Sequence, residues 1–153
     1  MRKKTIDILS HEGFTVVELI IVLAILGILS ILAVPKINSS NFYLKMQGKK
    51  LCSEIRQIQI SRMTLGEEYR ITLSPEKYVI QNGPKDLKTI QLMPGYELLY
   101  DFNKNKIMFQ YNGAPVYGGT TIRIRNKKNG KYIEITIVPA SGRVLMKEEI
   151  YQP

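Results

Sequence analysis

The stretch GFTVVELIIVLAILGILSILAVP, Gly13 to Pro35, decides how the chain is built. Residues 14–34 within it are apolar apart from Thr15, Glu18, Gly27 and Ser30. As a helix at about 1.5 Å per residue, that run covers about 31 Å, enough to cross a hydrocarbon core. Glu18 is the discordant residue. A carboxylate costs about 2.5 to 3.5 kcal/mol at mid-membrane and less near the interface, so it needs a partner. A secretory signal peptide does not fit, because its apolar region is only about 7 to 15 residues long and Ala33-Val34-Pro35 is a poor cleavage site. A plain single-pass anchor fits the length but leaves Glu18 unexplained.

Gly13-Phe14-Thr15-Val16-Val17-Glu18 followed by an apolar run resembles the processing signal of type IV pilins and pseudopilins. The resemblance implies a cut between Gly13 and Phe14 by a prepilin peptidase, which also methylates the new amine of Phe14. Glu18 then becomes the fifth residue of the mature chain, on the same helical face as that amine. It can neutralise its own amine or a neighbour's, and the resemblance implies that the pairing with a neighbour helps recruit the subunit into a filament. Gly27 and Pro35 fall where the family has a glycine and a proline, both expected as helix breakers. Glu12 is a departure, since many members have a basic residue before the glycine.

The chain has 153 residues, a formal net charge of +9 and 44% hydrophobic residues. That is the scale of one membrane segment plus one small domain. Arg2, Lys3 and Lys4 make the first 13 residues a basic leader, and removing it leaves a charge of about +8. Lys36, Lys45, Lys49 and Lys50 lie just beyond the other end of the apolar run. The orientation, leader in the cytoplasm and remainder outside, is therefore taken from the resemblance. His11, the only histidine, lies in the leader, and Cys52, the only cysteine, reads as a small apolar helix residue.

Beyond Pro35 the helical period resumes. Leu44, Gly48, Leu51, Ile55, Ile58, Arg62 and Leu65 form one stripe, with Lys45, Lys49, Lys50, Glu54 and Gln57 expected on other faces. Gly66 is the expected stop. Phe14 to about Leu65 thus reads as one long helix of about 80 Å, interrupted at Pro35.

From Glu67 the period changes to two. Strands are expected over residues 69–73, 78–81, 89–93, 97–102, 106–111, 120–125, 132–138 and 143–146, separated by turn residues. Asn129-Gly130 marks the clearest hairpin, with Ile122, Ile124, Ile133, Ile135 and Ile137 on one face. The fold class is α+β: a long N-terminal helix packed against an antiparallel β-sheet domain. The expected segments are a leader (1–13), a transmembrane and assembly helix (14–35), the soluble half of the helix (36–66) and the sheet domain (67–153). Leu51 to Ile60 leading to Tyr69-Arg70-Ile71-Thr72-Leu73, and the ending Ile135-Thr136-Ile137-Val138-Pro139-Ala140-Ser141-Gly142-Arg143-Val144, resemble the GspH/FimT-type minor pseudopilins.

Catalytic motifs fail on inspection. Asp101-x-Asn103-x-Asn105 imitates the start of a calcium loop but has Lys106 and Asn112 where glycine and glutamate belong. Ser74-Pro75-Glu76-Lys77 spells S-x-x-K in a turn setting. No enzyme activity, cofactor or metal is expected. The cations Arg123, Arg125, Lys127, Lys128 and Lys131 form the one surface cluster of interest. They read either as a solvated sheet edge or as a polyanion-binding stripe, with Tyr117 and Tyr132 available to stack bases.

The expected protein is a minor pilin or pseudopilin of a type IV pilus, competence pilus or type II secretion pseudopilus. Its implied partners are the prepilin peptidase/methyltransferase, other pilin subunits, an inner-membrane assembly platform and membrane lipid. Two alternatives stand beside it: a DNA-binding tip subunit of an uptake pilus, and an anchored β-rich module that never assembles.

Overall fold

The computed structural model describes residues 15–33 and 39–152, which fall into two units, one on either side of residues 34–38. The first unit is the helix α1, Val16–Ala33. Its side chains from Val16 to Ser30 are exposed on every face among the described residues, whereas a helix apolar all round is of the kind that is buried in a protein core or a membrane. The helix continues unbroken through Gly27, which corrects the expectation of a break there. One glycine costs a helix only about 1 kcal/mol, and the leucines and isoleucines around it carry the propensity. Pro35, the other expected breaker, lies outside the described residues. Among the described residues, no helix is long and apolar enough to cross a membrane. The 18 residues of α1 come to about 27 Å against a hydrocarbon core of about 30 Å.

The second unit begins with α2, Ser39–Leu65. It ends where Gly66 takes φ +72°, a left-handed cap that a side chain resists. Eight strands follow: β1 (Tyr69–Leu73), β2 (Lys77–Asn82), β3 (Lys85–Gln91), β4 (Tyr96–Leu99), β5 (Lys106–Ile107), β6 (Thr120–Asn126), β7 (Tyr132–Ile137) and β8 (Val144–Met146). They form two four-stranded antiparallel sheets, in the orders β3-β2-β1-β5 and β4-β6-β7-β8. The sequence led to a single sheet. Alternation fixes which face a side chain occupies but not which strands pair, and the division escaped it.

The core lies between α2 and the sheets. Leu44, Leu51, Ile55 and Ile58 of the helix meet Ile71 and Leu73 of one sheet and Ile122, Ile124, Ile133, Ile135 and Ile137 of the other. Ten large side chains in this core are less than 2% exposed. At about 25 cal/mol per Å² of apolar surface removed from water, this packing is the main driving term for the unit. Gly48 marks a close approach of helix to sheet, because a Cβ there would stand 3.2 to 3.4 Å from Met146 and Ile133.

Two expected positions on α2 are corrected. Leu65 is exposed, since the helix ends beside it. Glu54, expected on an outer face, is buried, and its carboxylate accepts a 2.6 Å hydrogen bond from Lys88 of β3. The expected strand over 106–111 shrinks to Lys106–Ile107 plus a bridge between Phe109 and Pro115. The strand expected from Thr89 begins at Lys85, in a stretch exposed on both faces.

Candidate functional site

The described part of the N-terminal signal begins at Thr15. Its hydroxyl accepts a hydrogen bond from the Glu18 backbone N–H at 3.2 Å and so starts α1 at Val16. Thr-x-x-Glu is the spacing of a capping box, in which the threonine satisfies an orphan donor of the first turn. The Glu18 carboxylate also lies at the positive end of the helix dipole, where negative charge is stabilised. The same two residues that belong to the processing signal therefore also specify where the helix begins. The expected cleavage and methylation positions, Gly13 and Phe14, lie outside the described residues.

At the other candidate site, the chain turns between β6 and β7 through Lys127 to Lys131. Gly130 takes φ +71° and donates to the Asn126 carbonyl at 2.9 Å, while the Asn126 N–H donates to the Lys131 carbonyl. The Asn126 side chain accepts from the Lys128 N–H, an Asx turn that holds the loop. On β6, Ile122 and Ile124 point into the core while Thr121, Arg123 and Arg125 face out, as their alternation requires. The strand lies between β4 and β7, so the edge reading of these cations is corrected: this is the middle of a sheet.

Three of the five cations are paired. Arg123 donates to Glu134 at 2.8 Å, Arg125 to Glu97 at 2.8 Å and Lys127 to Glu76 at 2.8 Å. Glu134 also receives Lys147 at 2.9 Å. Those two hydrogen bonds, Lys147 first, hold the Glu134 carboxyl below the ordinary range. The hydrogen bond from Lys127 likewise lowers the Glu76 carboxyl and raises Lys127. Lys128 and Lys131 have no such partner among the described residues.

The aromatic residues are also occupied. Tyr132 stacks on Tyr151 at 5.3 Å, with Arg123 over one ring and Lys147 over the other. Tyr117 lies elsewhere, its hydroxyl against the Met108 sulfur. The structure thus brings the five cations and Tyr132 together but not Tyr117, and it supplies carboxylates that the sequence alone did not place.

The catalytic decoys resolve as turns. Asp101 caps a short 3-10 turn by accepting from the Asn103 N–H. Ser74-Pro75-Glu76 joins β1 to β2. Burial raises the Cys52 thiol, as expected of a core cysteine. Gln59 was missed by the sequence reading. Its amide nitrogen donates to the carbonyls of both Gly113 and Gly142, at 2.7 and 3.0 Å, and ties two distant loops to the helix.

The family described as "Prokaryotic N-terminal methylation motif" matches residues 9–34. Three solved chains resemble the fold. The type IV minor pilin FimU of Pseudomonas aeruginosa matches with a TM-score of 0.58 and 14% identity, over 71% of this chain and 92% of that one. The minor pseudopilin EpsH from the Type 2 Secretion System of Vibrio cholerae matches with a TM-score of 0.57 and 10% identity, over 68% and 95%. No curated protein matches the sequence. The chain thus joins the N-terminal methylation motif to the α+β fold of minor pilins and pseudopilins.

Proposed function

We propose that this chain is a minor pilin-like subunit, made as a membrane-inserted precursor and assembled into, or at the tip of, a thin extracytoplasmic filament. The observation that carries the reading is the coincidence of two independent features. A methylation motif lies at residues 9–34, and a fold like that of solved minor pilins and pseudopilins spans 68 to 71% of the chain. Either alone would be compatible with an anchored module. Together they describe a subunit whose apolar helix has two successive environments, lipid and then the interior of a filament.

In this reading a prepilin peptidase cuts between Gly13 and Phe14 and methylates Phe14. The new amine and the Glu18 carboxylate, four residues apart, lower each other's cost in a low-dielectric surrounding. Residues 14–34 supply the length that α1 alone falls short of. The leader stays in the cytoplasm and the sheet unit faces outward. Gly27 carries no side chain on α1, and a neighbouring helix can approach closely at such a point. The other partners are fellow subunits and the assembly platform in the membrane.

The paired hairpin cations weigh against a DNA-binding tip. Arginines that already hold carboxylates release fewer counterions from a phosphate backbone, which leaves Lys128 and Lys131 as the hairpin's unpaired cations among the described residues. The scaffold role is tested by co-expressing the chain with a prepilin peptidase and comparing it with Gly13→Ala. The expected result is a shortened product for the parent and a full-length product for the variant. Identical, full-length products would contradict the proposal.

A further inference from the structure

The first three turns of α2 bury Leu44, Gln47 and Gly48, and expose Phe42, Lys45, Met46, Lys49 and Lys50. At about 100° per residue, Phe42 and Met46 occupy the middle of that outer face, with Lys45 and Lys49 on one flank and Lys50 on the other. Phe42 is 56% exposed and Met46 43%. None of the three lysines has a carboxylate within ion-pairing distance among the described residues. On the hairpin, by contrast, Arg123, Arg125 and Lys127 are each ion-paired, Arg123 sharing Glu134 with Lys147.

We infer that, before assembly, the outer face of α2 from Phe42 to Lys50 lies on the bilayer surface and binds anionic lipid headgroups. The inference rests on the proposal that the apolar helix is inserted in a membrane. An apolar centre flanked by lysines is the pattern of a helix lying in the headgroup layer: the cations meet phosphates and the apolar side chains enter the acyl boundary. In sequence, Ser39 follows Ala33 by six residues, a tether that reaches no further than about 21 Å. The core-forming face of α2 is the opposite one, so the sheets do not compete for this surface. A nucleic acid would engage the lysines but leave Phe42 and Met46 in water. A second copy of the chain carries the same net charge of +9 and would bring like charge to the lysines. An anionic bilayer satisfies both components.

Each lysine near an anionic surface is expected to favour binding about fivefold. The test uses the full chain reconstituted in vesicles with and without phosphatidylglycerol, spin-labelled at Met46→Cys. Cys52 is 4% exposed and stays unlabelled in the native protein. A second label at Leu145→Cys, on β8, is the control. The expected result is a several-fold fall in nickel accessibility at position 46 when phosphatidylglycerol is present, with no change at 145. Lys45→Gln/Lys49→Gln/Lys50→Gln, or high salt, restores access. Equal access in both vesicles, for a chain that resists alkaline extraction, overturns the lipid inference and leaves the membrane proposal standing. Release of the chain by alkali overturns both. Shielding that follows protein density in either vesicle assigns the face to a second copy instead. Salt-sensitive DNA binding through the three lysines, without lipid dependence at position 46, assigns it to nucleic acid and also overturns the inference.

Discussion

Arg123 Nε and Glu134 Oε1 stand 2.8 Å apart on directly opposed residues of β6 and β7. Glu134 is buried while its cationic partners Arg123 and Lys147 are half exposed. The carboxylate thus sits beneath two cations on the outer face of a sheet. It turns what reads in sequence as a positive stripe into a cross-strand network.

This network should give the fold a measurable acid sensitivity. The Glu134 carboxyl is held below its ordinary value by hydrogen bonds from Lys147 and then Arg123. A lowered folded-state value means that the stabilisation is fully present above the unfolded carboxyl range, near pH 4.3, and is lost as pH falls through the folded value. Glu134→Gln should cost about 1 kcal/mol at pH 7, kept small because both cations are half solvated. The gap between variant and parent should close towards pH 3. Urea midpoints at the two pH values check this, and an equal gap at both would count against it.

The same pairing predicts that Arg123 and Arg125 add little to nucleic-acid binding. Arg123→Ala/Arg125→Ala should change retention of double-stranded DNA by less than about twofold at moderate salt, since few counterions are released by groups already paired. A filter or gel-shift titration of the full chain reads this. A large, salt-sensitive loss in the double variant would restore the DNA-capture reading.

Gly142 is fixed by geometry. It adopts φ +63°, and a Cβ there would overlap the carbonyl oxygen of Gly113, which Gln59 also holds. Gly142→Ala should therefore destabilise the unit by about 3 kcal/mol or more, through strain and a displaced backbone. Gly83 has a similar φ of +58° but open space around it, so Gly83→Ala should cost only about 1 kcal/mol. Paired denaturant titrations separate the two, and similar losses would contradict the steric account.

Glu18→Ala separates processing from assembly. The helix start depends on the Thr15 hydroxyl and the Glu18 backbone N–H, neither of which the substitution removes. The carboxylate that would neutralise a terminal amine is lost. Cleavage should proceed as in the parent, while recovery of the subunit in sheared filaments should fall at least about tenfold, the equivalent of about 1.4 kcal/mol. Normal incorporation of the variant would refute the pairing.

The sequence disclosed what depends on period and on local chemistry. The helical stripe through Leu44, Leu51, Ile55 and Ile58, the β6–β7 hairpin around Asn129-Gly130 and the stop at Gly66 all follow from neighbours a few residues apart. What it concealed depends on partners far along the chain. Glu54 is a charged residue on a buried helical face, and the partner that explains it, Lys88, comes 34 residues later. Glu97 and Glu134, which neutralise the hairpin arginines, are placed only by strand pairing. Gln59 reaches loops 54 and 83 residues away, and no local pattern marks it. The early start of β3 at Lys85 escaped for the opposite reason: with exposed residues on both faces it carries no alternation to read.

The central claim is that proteolysis frees a positive terminus for Glu18 to meet. Intact-mass and N-terminal fragment spectra of the chain extracted from membranes of a host with a prepilin peptidase test it most directly. The account predicts a polypeptide that begins at an N-methylated Phe14. A chain that retains Met1, with Phe14 unmethylated, would contradict it.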